Sequence, residues 1–361
     1  MESLFPGNPV AQQNAWLVIL LLFYCVLASV WPVWLLLQPR DYLSVYALFI
    51  GLGLGYAGLL VAHPVMQAPM TVSLMSKEGP LWPMLFVIVA CGAISGFHSV
   101  VASGTTVKQL SCETHAKSIG FGSMVLEAIL AVMTLCLVGG GLLWLPSFEA
   151  NPLYGPAILK EGGPLVVFSK AFGQVVGGEA FPWLTIGFVA LVAMTLLKFF
   201  VLTTLDTCTR LARFVLTEQF GEAWAPFRNR WVATLITLVP AFALAVSGAW
   251  ERIWPVFGAA NQLIAALALL VLTCYFLGIR KPALYTVIPG VFMLLTTLAA
   301  LGYQVWTCFT HKNEQGMVEP QWLLAAFALV LVVLAIWVAV EAFSRLSKLS
   351  RELKAEPAAV E

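Results

Sequence analysis

Charge is what this chain has least of. Of its 361 residues 10% are Asp, Glu, Lys or Arg, 60% are hydrophobic, and the mean hydropathy is +0.91. A soluble domain carries roughly 25% charged residues, so the chain reads as a polytopic membrane protein with the lipid bilayer as its first partner. A net charge of +1 leaves no basic face, and nucleic acid is not an expected partner. The seven cysteines (Cys25, Cys91, Cys112, Cys136, Cys208, Cys274, Cys308) form no C-x-x-C, and most sit in apolar runs, where they read as small core residues. The four histidines have no cysteine or histidine neighbour at ligand spacing, so neither a metal nor a cofactor is expected. There is no G-x-x-x-x-G-K-[ST] for ATP-driven pumping, no H-E-x-x-H, no G-x-S-x-G and no regular arginine ladder. An enzyme is not expected. A signal peptide is not expected either: the first apolar run, 15–37, lacks a basic flank and exceeds the length of a signal core, so it reads as a signal-anchor or a first span.

Long apolar runs are what is there. Nine reach the roughly 20 residues that cross a bilayer: 15–37, 42–62, 81–104, 119–145, 181–209, 231–250, 255–278, 283–307 and 321–343. The expected fold is all-α, a transmembrane helix bundle over 1–343 with a charged cytoplasmic tail at 344–361. Thirteen lysines and arginines fall in one alternate set of loops, Arg40 and Arg210 among them, and five in the other, Lys77 and Lys312 among them. By the positive-inside rule the first set is cytoplasmic, with the amino terminus outside and the carboxyl terminus inside. Gly51, Gly53 and Gly55 in the second span permit close helix approach. The apolar 63–80 loop suits the membrane interface or a re-entrant path. The long external segment 146–179 is rich in proline and glycine, and its middle, 165–176, reads as a short interfacial helix.

One span departs from the rest. Residues 79–109 begin as an apolar run and turn into glycines and hydroxyls. Gly92 and Gly96 form a G-x-x-x-G pair, and Ser95, Ser99 and Ser103 recur every four residues, with Thr105 just beyond. That spacing places a small, hydrogen-bonding stripe on one helix face. Such interruptions are where secondary transporters unwind a helix and bind ions or substrate with freed backbone groups. Residues 92–106 are the main candidate and 254–262 a weaker one. His98, within the stripe, is open to helix packing or to proton relay and substrate contact. Asn261 and Gln262 are adjacent carboxamides in an apolar run and need partners; interhelical bonding and lining of a substrate path are both open. Glu127 and Asp206 are proton or cation candidates, Glu127 being equally open to pairing with a basic group, and Asp206 having Thr203 and Thr207 one turn apart beside it. Asp206 and Arg210 stand four apart, the spacing of a helix-face ion pair.

Five blocks, GPLWPMLFVIVACGAISGFHSVVASGTTVKQL at 79–110, WPVWLLLQPRDYLS at 31–44, ETHAKSIGFGSMVLE at 113–127, TTLDTCTRLARF at 203–214 and WPVFGAANQLIAALALLV at 254–271, resemble the carbon starvation protein A family of bacterial inner-membrane proteins. The resemblance implies inverted repeats with discontinuous helices. It further implies uptake of a small peptide or of a carboxylate such as pyruvate, in the response to carbon starvation; because the chain has no ATP motif, symport with a proton or another cation is the expected drive. Family members usually begin with several further spans and a His- and Gly-rich block. This chain has no such block, so a second chain supplying those spans is a candidate partner. A non-transporting membrane subunit or sensor is the rival reading.

Overall fold

The computed structural model describes residues 15–76, 79–247, 250–310 and 321–355. Lys77, Lys312 and the tail beyond Ala355 lie outside them. In chain order the helices are α1 (Ala15–Val30), α2 (Val33–Ala62), α3 (Phe86–Ala93), α4 (Gly96–Val101), α5 (His115–Gly141), α6 (Gly155–Phe172), α7 (Ile186–Phe220), α8 (Arg230–Ser247), α9 (Trp250–Gly278), α10 (Leu284–Thr310) and α11 (Trp322–Ala355). A two-residue hairpin pairs β1 (Met75–Ser76) with β2 (Gly79–Pro80). The chain divides into two units, Met1–Val72 with Leu110–Val246, and Ser73–Gln109 with Ser247–Glu361.

Among the described residues seven helices are long and apolar enough to cross a membrane, against nine expected spans. Two places make the difference. The run at 15–37 is cut at Pro32, leaving the shorter apolar helix Leu17–Val30. Proline has no N–H and disfavours helical geometry in the residue before it. α2 then starts at Val33 and runs straight through Pro39 and Arg40, so Arg40 is a helical residue and not a loop charge. The run at 81–104 is likewise not one helix: α3 and α4 are separate pieces of eight and six residues.

In the first unit, the core gathers Leu52, Met133, Leu137, Phe168, Phe172, Val175, Val176, Val189 and Ala193. Lipid tails are as apolar as these side chains, so close packing, and not transfer from water, must hold the helices together. Glycines on α2 make the approach possible. A Cβ on Gly55 would collide with Met133 Sδ, and one on Gly58 would sit 2.6 Å from Val176 Cγ2. Gly53 has nothing within 4 Å of a Cβ and faces away from that contact, so the packing face is Gly51, Gly55 and Gly58. The segment read as a short interfacial helix packs into this core. Residues 165–176 are helical, but Val167, Phe168, Ala171, Phe172, Val175 and Val176 are buried. Gly163, at φ 72°, takes the turn that lets Pro164 start this second half.

In the second unit, Met84, Val87, Ala259, Leu263, Ala300, Leu301 and Ala335 form the core between α3, α9, α10 and α11. α9 is continuous through 254–262 with Pro255 inside it, so the weaker unwinding candidate is not unwound. α11 passes through Ser344 to Ala355 without a break.

Candidate functional site

The two units each carry a polar constellation built around an interrupted helix.

In the second unit the interruption lies at Ile94–Ser95, between α3 and α4. Ser95 is extended (φ −98°, ψ 121°), and its Oγ accepts from the His98 N–H at 3.2 Å, capping α4. A broken helix exposes N–H groups that need partners, because lipid has none to offer. Asn261 on α9 supplies one: its Oδ1 accepts from the Phe97 N–H at 2.7 Å and from the Ser95 hydroxyl at 3.3 Å. Gln262 beside it donates from Nε2 to the Phe86 carbonyl at 3.2 Å, with the Thr297 hydroxyl 3.3 Å from its Oε1. The two adjacent carboxamides thus tie α9 to the first residue of α3 and to the start of α4. Both are buried, Asn261 3% and Gln262 0% exposed. Gly96 is what brings α4 close enough. A Cβ there would collide with the Asn261 carbonyl oxygen and lie 2.6 Å from the Ala265 nitrogen, whereas a Cβ on Gly92 meets nothing within 4 Å. The G-x-x-x-G pair is therefore one contact glycine and one spectator.

The stripe hydroxyls below the break bond back to their own helix. Ser99 donates to the Gly96 carbonyl at 2.6 Å, Ser103 to Val100 at 3.1 Å and Thr105 to Val101 at 2.8 Å. Their hydrogens are committed, and what each hydroxyl keeps is acceptor lone pairs. His98 is exposed.

In the first unit the interruption is Trp31–Pro32, and its repair is ionic. The Ala28 carbonyl would normally take the N–H four residues on, but that residue is Pro32. Arg210 on α7 fills the gap, donating from Nη2 to the Ala28 carbonyl at 2.6 Å and to the Trp31 carbonyl. Arg210 is therefore not the helix-face partner of Asp206. That carboxylate, 0% exposed, pairs with Arg40 of α2 and accepts from the Tyr24 hydroxyl of α1 at 2.8 Å. Thr207 donates to its other oxygen at 3.3 Å, while Thr203 donates to the Phe200 carbonyl at 2.6 Å and stands apart. Arg40 also reaches Asp41 with its second nitrogen. Sequence reasoning missed Arg40 and Tyr24 because they lie more than 160 residues from Asp206; the only local sign was a charge between two apolar runs. Glu127 on α5 and Lys198 on α7 are exposed. In the loop before α5, the exposed Cys112 thiol is held below its ordinary range by the hydroxyl of Thr114, 3.1 Å away.

Comparison with known proteins places these residues in context. The chain is 27% identical to the pyruvate/proton symporter BtsT of Escherichia coli K12 over 88% of its own length and 55% of the relative's. It is 29% identical to the peptide transporter CstA of the same organism, over 84% of this chain and 52% of that one. Against the peptide transporter CstA of Mycobacterium tuberculosis H37Rv it is 31% identical, covering 80% and 46%. The chain thus spans about half the length of these curated relatives. No solved structure matches. The family described as carbon starvation protein CstA matches residues 5–141 and 149–300, a range that takes in both interrupted helices and their partners. This chain belongs to the carbon starvation protein CstA family.

Proposed function

We propose that this chain works as a secondary transporter of the bacterial inner membrane, importing a small peptide or a carboxylate such as pyruvate together with a proton or other cation during carbon starvation. The observation that carries this reading is the break at Ile94–Ser95, held open by Asn261 on a neighbouring helix. A discontinuous helix is how such transporters place polar groups inside the membrane. The relatives named as transporters supply the class. The segment 92–106 is the substrate or ion site in this reading, with Gly96 and Asn261 setting its geometry and Ser99, Ser103 and Thr105 facing the ligand. Because those hydroxyls keep acceptor capacity, the stripe suits a ligand that donates, such as a peptide ammonium group or a cation. Of the two carboxylate candidates for coupling, Asp206 is the enclosed one and Glu127 the exposed one.

Uptake of labelled pyruvate and of labelled dipeptides into vesicles, with and without a proton gradient, tests the function. Ser99→Ala combined with Ser103→Ala is expected to lower uptake about tenfold, the cost of roughly one or two hydrogen bonds to a ligand, at unchanged membrane abundance. Unchanged uptake would rule out the site. Orientation is tested with a membrane-impermeant maleimide: with the 110–114 loop cytoplasmic, Cys112 is labelled only in inverted vesicles.

A further inference from the structure

Asp206 has a partner that the coupling idea alone does not explain. Burying a carboxylate costs several kcal/mol unless it is paired or neutral. Here it is paired, through Arg40, to a different helix. If Asp206 took up a proton, Arg40 would be left as a buried cation, and that cost would ordinarily forbid the change. The structure removes the difficulty. The same guanidinium holds Asp41 with its second nitrogen; the Asp41 side chain is 53% exposed and the Arg40 side chain 11%. Arg40 therefore sits between one buried carboxylate and one exposed carboxylate, and it keeps a counter-charge whichever way Asp206 titrates. The Leu202 carbonyl, 3.3 Å from Nη1, and the Tyr24 hydroxyl, 3.2 Å away, hold the arginine in place.

Resting on the reading of Asp206 as a coupling group, we infer that Arg40 is the positioning residue of a proton-operated latch. With Asp206 ionised, Arg40 ties α2 to α7. When a proton adds to the Asp206 carboxylate, one O–H bond forms, the ion pair is lost, and Arg40 stays with Asp41 on α2. Loss of the proton closes the pair again. No other reactant is consumed. The groups facing Asp206 among the described residues are Tyr24 and Cys25 on α1, Arg40 and Asp41 on α2, and Thr207 and Arg210 on α7. Arg210 is committed to the carbonyls at the end of α1 and is not free to replace Arg40. Cys25 carries no positive charge in either protonation state and does not compete for the carboxylate.

The test uses the purified full chain in liposomes. A hydrophobic carbodiimide reacts with a protonated buried carboxyl group and not with its anion, and modification of Asp206 is read by mass spectrometry across pH. Wild type is expected to label at acid pH. In Arg40→Gln the neutral acid is favoured, so the labelling curve moves up by about one pH unit or more. In Asp41→Asn the arginine is left to Asp206 alone, and the curve moves down. Arg40→Lys, which keeps the charge, stays near wild type and guards against a folding artefact. Curves for Arg40→Gln and Asp41→Asn that both overlay wild type would overturn the latch. So would a shift in the same direction for both. Uptake is measured beside it. Labelling reports on the pair whether or not the chain transports, so absent uptake with the expected labelling counts against the transport reading only. Asp206→Asn retaining full gradient-driven uptake removes Asp206 from coupling while leaving the transport reading intact.

Discussion

The two units solve the same problem with different chemistry. Each contains an apolar run whose helix is interrupted, at Pro32 in one and at Ile94–Ser95 in the other. Each interruption strands backbone groups where lipid offers no partner. In the first unit charged groups come in from a distant helix: Arg210 takes the stranded carbonyls, and Asp206, one turn away, is balanced by Arg40. In the second unit the repair is neutral, with Asn261 and Gln262 reaching the two halves of the broken helix. A neutral carboxamide holds its geometry at any pH. A buried ion pair holds only while both partners are charged. The difference is one of chemistry: a neutral repair in one unit and a charged one in the other.

The comparison can be broken at its charged end first. Arg40→Ala leaves Asp206 buried without its cation and is expected to cost about 3–5 kcal/mol, seen as a large drop in thermal stability in detergent. Arg40→Met with Asp206→Leu should recover most of that loss, because removing both charges together removes the desolvation problem. If the double variant is no better than the single, the pair is not what holds α2 against α7.

The neutral end comes next. Gly96→Val forces a side chain onto the Asn261 carbonyl and the Ala265 nitrogen, which are backbone atoms and cannot rotate away. Overpacking of that kind costs about 1–3 kcal/mol, here at the upper end or beyond. Gly92→Val, with nothing within 4 Å of the added carbon, should leave the melting temperature where it was. Equal losses would mean that the pair acts as a symmetric packing motif after all. Asn261→Leu strands the Phe97 N–H and is expected to cost about 1–3 kcal/mol. Asn261→Asp keeps the acceptor and adds a charge, so stability of this unit should become pH-dependent where the wild type is not. The smallest effect is Gly53→Ala, expected within about 0.5 kcal/mol of wild type, against a clear loss for Gly55→Ala, whose Cβ meets Met133.

Much of this was legible in the linear order of residues, and the failures follow one pattern. The apolar runs marked the bundle, because a bilayer imposes a length on any helix that crosses it. The Ser/Gly stripe marked the broken helix, because a small N-capping hydroxyl before Gly96 is a local signal. The pairing of Asp206 with Arg210 was misread. Four-residue spacing is the only neighbour rule a single helix offers, and it says nothing about Arg40 or Tyr24 on other helices. The burial of 165–176 was not anticipated, for a related reason. The prolines and glycines around it look like loop punctuation, while its burial depends on Gly55 and Gly58 of α2 opening room for Phe172 and Val176.

By itself, then, the order of residues determined where the apolar runs lie, that the stretch 92–106 departs from them, and that buried polar groups would need partners; the cut at Pro32 inside the run 15–37 was not among its readings. These are local consequences of backbone geometry and of the solvent around each segment. Tertiary structure alone decided which partner each group found. A hydrogen bond or an ion pair across 160 residues of chain depends on helix packing, and packing depends on side-chain volumes at many positions at once. That is why the existence of a polar site could be read along the chain, and why Arg40 as its counter-charge could not.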